Sequence, residues 1–275
     1  MFDVRLLSAE VNRADGDYEV DGLLYCGKCN TRKQGRYNID GENVVLTCMC
    51  KCQEREYEEG KKAHEEEQRR IEIENMRSAG LPEKKMANVR FETSESLPVI
   101  EVARKYVENW ETMKENGKGL LLYGSVGTGK SYSAYCIANA LIDRGVSVLV
   151  TDITRIVNIL QGKFDNRQEY IDSLNRYNLL ILDDLSAERK TEYMSEMVWA
   201  VINARYRSGK PLIVTTNLTK EELLGATDIS SQRIYSRLFE MCIPYKVDGK
   251  DRRRSVLKND YEEYSKMLGI FAEKS

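Results

Sequence analysis

Short apolar runs alternate with longer amphipathic stretches from about residue 85 towards the end of the chain. Four runs rich in Leu, Ile and Val have the length of buried strands, and a shorter run follows them. They lie at residues 119–124, 146–152, 178–185, 211–217 and 243–249. Apolar residues between them recur at helical spacing, and two of these stretches end at Gly145 and Gly209. The alternation predicts an α/β fold, with a parallel sheet flanked by helices on both faces.

The first 84 residues lack this alternation. Residues 1–52 contain few large apolar groups but five of the seven cysteines. Residues 53–84 are mostly polar, and their acidic and basic residues recur at three- and four-residue spacing, which favours a charged helix. We expect Gly60 to interrupt this helix. The pattern therefore predicts a small cysteine-containing domain (1–52), a charged helical linker (53–84) and an α/β domain (85–275).

The composition is that of a soluble globular protein. The chain has 275 residues, 42 basic and 44 acidic side chains, a net charge of -2 and a mean hydropathy of -0.53. These values exclude a collagen or a disordered tail, and no run approaches the ~18 apolar residues of a membrane span. Because no signal-peptide pattern is present at the start, we expect a cytoplasmic location. The balanced charge means that any nucleic-acid binding would come from a local patch.

A glycine-rich loop between the first predicted strand and the next helix matches the phosphate-binding pattern G-x-x-x-x-G-K-[ST]. Its residues are Gly124, Ser125, Val126, Gly127, Thr128, Gly129, Lys130 and Ser131. Glycines allow backbone N–H groups to approach phosphate oxygens, and the helix adds its positive N-terminus. Lys130 is expected to reach the β- and γ-phosphates, and Ser131 to bind Mg²⁺. A chance glycine-rich turn would not have this strand–loop–helix context, so we predict an ATP and Mg²⁺ site.

Polar residues follow two other predicted strands. Asp183 and Asp184 end the run 178–185, and Asn217 ends the run 211–217. Ligands of open parallel sheets bind beyond the carboxyl ends of the strands. We therefore predict that Asp183 holds Mg²⁺, usually through its water, and that Asp184 orients the attacking water. Asn217 is a candidate sensor of the γ-phosphate, with a simple turn-forming role as the alternative.

Two groups of arginines are candidates for phosphate chemistry. Arg233 and Arg237 are four residues apart and share one helix face. An arginine supplied across a subunit boundary would stabilise charge on the transferred phosphoryl group. A basic run, Arg252 to Arg254, follows the last predicted strand. Either group could instead be a solvated face or a contact to a phosphate backbone.

The cysteines of the first segment have the spacing of a zinc site. Cys26 and Cys29 form a C-x-x-C knuckle, and Cys48, Cys50 and Cys52 follow after eighteen intervening residues. An odd cysteine count favours metal or free thiols over a disulfide framework. Zinc takes four ligands, so we predict Cys26, Cys29, Cys50 and Cys52, with Cys48 as the alternative to one of the last two. Metal would also stabilise a segment too small to fold on its own core.

Together these motifs resemble the DnaC/DnaI-type bacterial helicase loaders, above all the phage and prophage forms with an N-terminal zinc-binding region. The resemblance rests on YCGKC…CMCKCQ, GSVGTGKS, LLILDDL and RIYSRLFEMC. It implies an AAA+ P-loop ATPase fold, with Asn217 as sensor 1, Arg237 as the arginine finger and Arg253 as the sensor 2 arginine. The usual acidic pair in wider AAA+ proteins is Asp-Glu; here it is Asp183-Asp184, which implies slow hydrolysis.

The resemblance also implies partners. It predicts an ATP-dependent loader that binds the hexameric replicative DNA helicase through the zinc domain and places it on single-stranded DNA. The ATPase domain would self-associate and grip the strand, with Lys163 as a candidate DNA contact. Two other functions fit some of the same residues: an IstB-like transposition helper, and a zinc-dependent DNA-binding adaptor that ATP gates.

Overall fold

The structure is a computed structural model that describes residues 13–162, 166–185, 191–252, 261, 264–268 and 270. These residues form two compact units, and the chain passes from the first to the second between Ile71 and Glu72. No helix within these ranges is both long enough and apolar enough to cross a bilayer.

The first unit contains two antiparallel hairpins and the start of a long helix. Strands β1 (Tyr18–Val20) and β2 (Leu23–Tyr25) form one hairpin, and β3 (Gln34–Ile39) and β4 (Glu42–Thr47) form the other. Each is closed by an Asp-Gly pair at positive φ, at residues 21–22 and 40–41. Asp-Gly is a preferred sequence for such two-residue turns because both positions need the left-handed region.

Helix α1 (Lys51–Gly80) includes most of the predicted charged stretch, residues 53–84. It continues through Gly60, so the expected interruption is wrong. A glycine inside a helix costs only about 1 kcal/mol relative to alanine. Ion pairs along the helix offset part of that cost: Lys61 to Glu65 at 3.7 Å and Arg70 to Glu67 at 2.7 Å.

The second unit is built on one five-stranded parallel sheet. Its strands are β5 (Gly119–Tyr123), β6 (Val148–Asp152), β7 (Leu179–Asp183), β8 (Leu212–Thr216) and β9 (Cys242–Lys246). Their order in the sheet is β6-β7-β8-β5-β9. The helices are α2 (Lys84–Ala87), α3 (Pro98–Glu108), α4 (Trp110–Glu115), α5 (Lys130–Asp143), α6 (Ile153–Gly162), α7 (Arg167–Leu174), α8 (Glu192–Ser208), α9 (Lys220–Leu224) and α10 (Ile229–Met241).

Alternate residues of the central strands pack into two separate cores. Leu120 and Leu122 face one core with α3 and α5, whereas Leu121 faces the other with α6, α8 and α10. Strands buried on both faces read as continuous apolar runs, which is why their composition identified them. The predicted α/β fold with helices on both faces is confirmed.

The strand register places the polar strand ends at one edge of the sheet. Asp152 pairs with Asp183, and Tyr123 pairs with Thr216. The loop after β5 and the acidic end of β7 therefore lie at the same carboxyl edge.

The opposite edge is held by Arg205 of α8, whose side chain has no solvent exposure. Its guanidinium donates to the carbonyls of Tyr177, Asn178 and Pro211 at 2.7–3.0 Å, just before β7 and β8 begin.

Candidate nucleotide site and cysteine cluster

The phosphate-binding loop adopts a conformation that favours glycine at three positions. Gly124 has φ 129°, Gly127 has φ 76° and Gly129 has φ 100°. A Cβ on Gly124 would lie 2.7 Å from the Val247 carbonyl oxygen, and one on Gly127 would collide with the Asp251 carboxylate. The loop therefore packs closely against the Val247 backbone at Gly124 and against Asp251 at Gly127.

Lys130 begins α5 immediately after the loop, and only 6% of it is exposed. Its Nζ donates to the carbonyl oxygens of Gly124 and Ser125 at 2.8 and 2.6 Å. The ammonium group is thus held inside the loop, where a phosphate group would meet it.

Both oxygens of the Asp183 carboxylate accept hydrogen bonds. Thr215 on the neighbouring strand donates its hydroxyl to Oδ1 at 2.6 Å, and the Tyr135 hydroxyl donates to Oδ2. Burial and this carboxylate raise the pKa of Tyr135, while the Ser131 hydroxyl, one turn earlier on α5, acts in the opposite direction. Asp183 and Tyr135 are therefore joined at the predicted Mg²⁺ site, and Tyr135 belongs to the helix that also carries Ser131.

Asp184 has left-handed backbone geometry, with φ 56°, which is uncommon for a residue with a side chain. Its N–H donates to the Thr215 hydroxyl at 2.9 Å, and its Oδ1 accepts from the Asn217 amide at 3.2 Å. The structure thus brings together two residues that the sequence places more than 30 positions apart. A strained residue held by two neighbours is a frequent feature of functional sites.

The two paired arginines of α10 stack on aromatic rings of α8. Arg237 lies 4.0 Å from the Tyr206 ring centroid and forms an ion pair with Glu240 at 3.1 Å, leaving 32% of its side chain exposed. Arg233 lies 4.3 Å from the Trp199 ring centroid. Of the basic run, Arg252 is bonded to the loop through its N–H and the Gly127 carbonyl at 3.1 Å. Arg253 and Lys163 lie outside the described residues.

Four of the five N-terminal cysteines come together. The Sγ atoms of Cys26, Cys29, Cys50 and Cys52 all lie within 4.8 Å of one another. Cys48 is not in this group; its thiol points to the Arg32 carbonyl oxygen at 3.5 Å. These are the four cysteines that we chose from the spacing. The two distant cysteines, Cys136 and Cys242, are buried in the sheet unit, as expected.

The surroundings of the cluster favour a bound cation. A hydrogen bond from the Thr31 hydroxyl lowers the pKa of Cys29 to about 5, whereas the Cys29 sulfur as a hydrogen-bond partner raises the pKa of Cys52 to about 11. Thiolates this close would repel one another, and a bound metal removes that repulsion by binding all four as thiolates. Zinc–sulfur bonds of about 2.3 Å would place the sulfurs roughly 3.8 Å apart, which this arrangement accommodates.

A sequence profile described as "IstB-like ATP binding protein" matches residues 58–256. The chain belongs to this family.

Curated relatives that match parts of this IstB-like protein include two helicase loaders and a phage-like element protein. The "Replicative helicase loader DnaC" of Escherichia coli K12 is 26% identical over 155 residues, 55% of this chain and 61% of the relative. The "Replicative helicase loader DnaI" of Bacillus subtilis is 26% identical over 149 residues, 50% of this chain and 48% of the relative. This chain therefore spans between about half and three-fifths of these two relatives. The "Phage-like element PBSX protein XkdC" of Bacillus subtilis is 26% identical over 245 residues, 85% of this chain and 86% of the relative.

Solved structures agree with the fold. The crystal structure of "the DnaC helicase loader" superposes with a TM-score of 0.52 at 25% identity, covering 60% of this chain and all of that one. The structure of "the DnaI" gives a TM-score of 0.50 at 24% identity, covering 64% and 98%. The predicted resemblance and the AAA+ ATPase fold are confirmed, and this IstB-like protein is an ATP-binding protein.

The family match contains the nucleotide site but not the cysteine cluster. Sequence reasoning missed two polar residues of that site, Tyr135 and Thr215. Tyr135 stands four residues after Ser131 and so shares its helix face, which was the available signal. Thr215 is the first polar residue at the end of an apolar strand, but which carboxylate it would meet depended on strand order.

Proposed function

We propose that this protein is an ATP-dependent loader that binds the hexameric replicative helicase and places it on single-stranded DNA during replication initiation. The observation that carries the proposal is the match to the crystal structure of the DnaC helicase loader, which covers 60% of this chain and all of that structure. The names of the DnaC and DnaI relatives support it.

In this proposal the loop N–H groups and the α5 N-terminus bind the phosphates of ATP. Lys130 exchanges its carbonyl partners at Gly124 and Ser125 for β- and γ-phosphate oxygens. Ser131 and Asp183 hold Mg²⁺, which would neutralise charge on the phosphates when bound. Hydroxyl and carboxylate oxygens are the ligands that this ion prefers, so the residues present fit it.

Asp184 and Asn217 are proposed to act on the attacking water and the γ-phosphate. Asp184 is one methylene shorter than the glutamate usual at this position, and its Oδ1 is already bonded to Asn217. A base with shorter reach and a competing partner favours slow turnover, which suits a nucleotide-controlled assembly switch. Arg237, as an arginine finger from a neighbouring subunit, and Arg253, as sensor 2, would complete the site on self-association.

The three segments of the chain are proposed to divide the work. Residues 1–52 would bind zinc through Cys26, Cys29, Cys50 and Cys52 and dock on the helicase. Residues 53–84 would link this domain to the ATPase domain, residues 85–275, which would contact single-stranded DNA. We infer that the protein acts in the cytoplasm, where the replicative helicase is found.

A transposition helper is the second candidate, because the matching family is described as IstB-like. The cysteine cluster favours the loader, since a zinc module fits the transposition helpers poorly. A zinc-dependent DNA-binding adaptor, in which ATP only gates assembly, is the third candidate. Stimulation of ATP turnover by single-stranded DNA would separate a working ATPase from such an adaptor.

The test is to mix the protein with the replicative helicase of its host and measure the mass of the complex by size exclusion with light scattering. We expect a stable complex whose mass or lifetime changes with ATP, and transfer of the helicase onto a fluorescent single strand. Lys130→Ala is the control for nucleotide dependence and should bind the helicase without that response. If the folded, zinc-loaded protein forms no complex in any nucleotide state, the loader proposal is wrong and the transposition helper becomes the first candidate.

A further inference from the structure

Tyr135 occupies an unusual place in the nucleotide site. Its hydroxyl donates a hydrogen bond to Asp183 Oδ2. Asp183 is one of the two residues proposed to hold Mg²⁺, and the other, Ser131, lies one turn before Tyr135 on the same helix. Tyr135 lies on α5, the helix that follows the phosphate-binding loop, whereas Asp183 ends β7. The contact therefore joins the helix of the loop to the strand that carries the acidic residue.

We propose that Tyr135 is the positioning residue for magnesium in this protein, and that it acts by fixing the orientation of the Asp183 carboxylate. The inference rests on the proposed role of Asp183 in holding Mg²⁺. Tyr135 itself does not touch the metal in this scheme.

The geometry gives the physical reason. A carboxylate at a strand end, only partly buried, is free to rotate unless both oxygens are held. Thr215 holds Oδ1 at 2.6 Å from the strand side, and Tyr135 holds Oδ2 from the helix side. Each oxygen keeps a further lone pair for a metal-bound water. Donors that orient a metal ligand in this way contribute about 10–100-fold to metal affinity.

The position of the contact also couples the metal site to the loop. Lys130 and Ser131 begin α5, and Tyr135 is one turn further along the same helix. The orientation of Asp183 therefore depends on where the loop helix sits. A loop rearranged by nucleotide would change the metal site through this hydroxyl.

Helix α5 supplies a matched control. The Tyr132 hydroxyl lies 3.3 Å from the Arg90 carbonyl oxygen and 3.3 Å from the Thr93 hydroxyl. Tyr132 is thus a tyrosine of the same helix, with its hydroxyl bonded, but its bonds lie away from Asp183. Tyr132→Phe removes the same atom as Tyr135→Phe without touching the proposed metal site.

The experiment measures the affinity of a fluorescent non-hydrolysable ATP analogue with Mg²⁺ and with EDTA. The affinity for the analogue with Mg²⁺ divided by its affinity with EDTA measures the contribution of the metal. We expect Tyr135→Phe to reduce this ratio about tenfold or more and to leave the affinity for the analogue measured in EDTA unchanged. Tyr132→Phe should leave both unchanged. In an Asp183→Asn background, Tyr135→Phe should have no further effect, because its target carboxylate is gone.

The outcomes separate the inference from the function on which it rests. If Asp183→Asn lowers the ratio and Tyr135→Phe does not, the positioning role is wrong while the metal role of Asp183 stands. If Tyr135→Phe lowers the affinity for the analogue as much in EDTA as in Mg²⁺, the residue supports the loop and not the metal. A wild-type protein that binds the analogue equally with Mg²⁺ and EDTA would overturn both the role of Asp183 and that of Tyr135. Thermal melting of each variant checks that the fold is retained.

Discussion

Replacing Arg205 by methionine should destabilise the sheet unit and leave ATP binding intact in the folded protein. Methionine is a flexible apolar side chain that can occupy part of the buried space but donates no hydrogen bond. The change removes every bond from the guanidinium to the carbonyls of Tyr177, Asn178 and Pro211.

The magnitude follows from what remains after the change. The Pro211 carbonyl keeps a long bond from the Leu180 N–H at 3.4 Å, whereas those of Tyr177 and Asn178 lose their guanidinium donors. Hydrogen bonds from a charged donor to these two part-buried carbonyls contribute about 1.5–3 kcal/mol each. Burial of the guanidinium is itself unfavourable, which is why the pKa of Arg205 falls to about 10, and methionine relieves that cost. We therefore expect a net loss of about 3 kcal/mol, at the low end of the range for two such bonds, because the burial cost of the guanidinium is relieved.

Thermal denaturation followed by circular dichroism is the assay. For a unit of this size, about 3 kcal/mol corresponds to a fall in Tm of roughly 6–12 °C. Arg205→Lys is the control: it keeps the charge, but one ammonium group cannot reach all three carbonyls as the planar guanidinium does, so its Tm should fall by less. ATP affinity below the transition should match the wild type, since Arg205 lies at the sheet edge opposite the loop. A fall of less than about 2 °C for Arg205→Met would refute the account of this edge.

Two further predictions concern the other sites. Arg237→Ala should leave ATP affinity unchanged but lower turnover in the assembled state, on the order of 10³-fold for a true arginine finger, and mixing with Lys130→Ala subunits should restore activity. Arg233→Ala is the matched control. An equal loss of turnover in isolated monomers would contradict action across subunits. Cys50→Ser should lower bound zinc below one per chain by metal analysis and loosen the first unit, whereas Cys48→Ser should retain one zinc; equal retention in both would exclude the cluster.

Local patterns were sufficient where the physics is local. The glycine-rich loop was identifiable because all of its pattern residues lie within eight consecutive positions. The strands were identifiable because burial on both faces leaves almost only apolar residues in β5 and β7. The same kind of argument was wrong at Gly60, because a propensity of about 1 kcal/mol is too small to end a helix supported along 30 residues.

The sequence by itself determined the α/β alternation, the position of the phosphate loop and the group of cysteines from which a metal set could come. Tertiary structure decided which side chains meet. Tyr135 reaches Asp183 across 48 positions only because β7 lies where α5 can cover it, and Cys48 is left out because its thiol points to the Arg32 carbonyl. Such contacts depend on strand order, register and side-chain direction, which arise from the packing of the whole unit and leave no periodic trace in the chain.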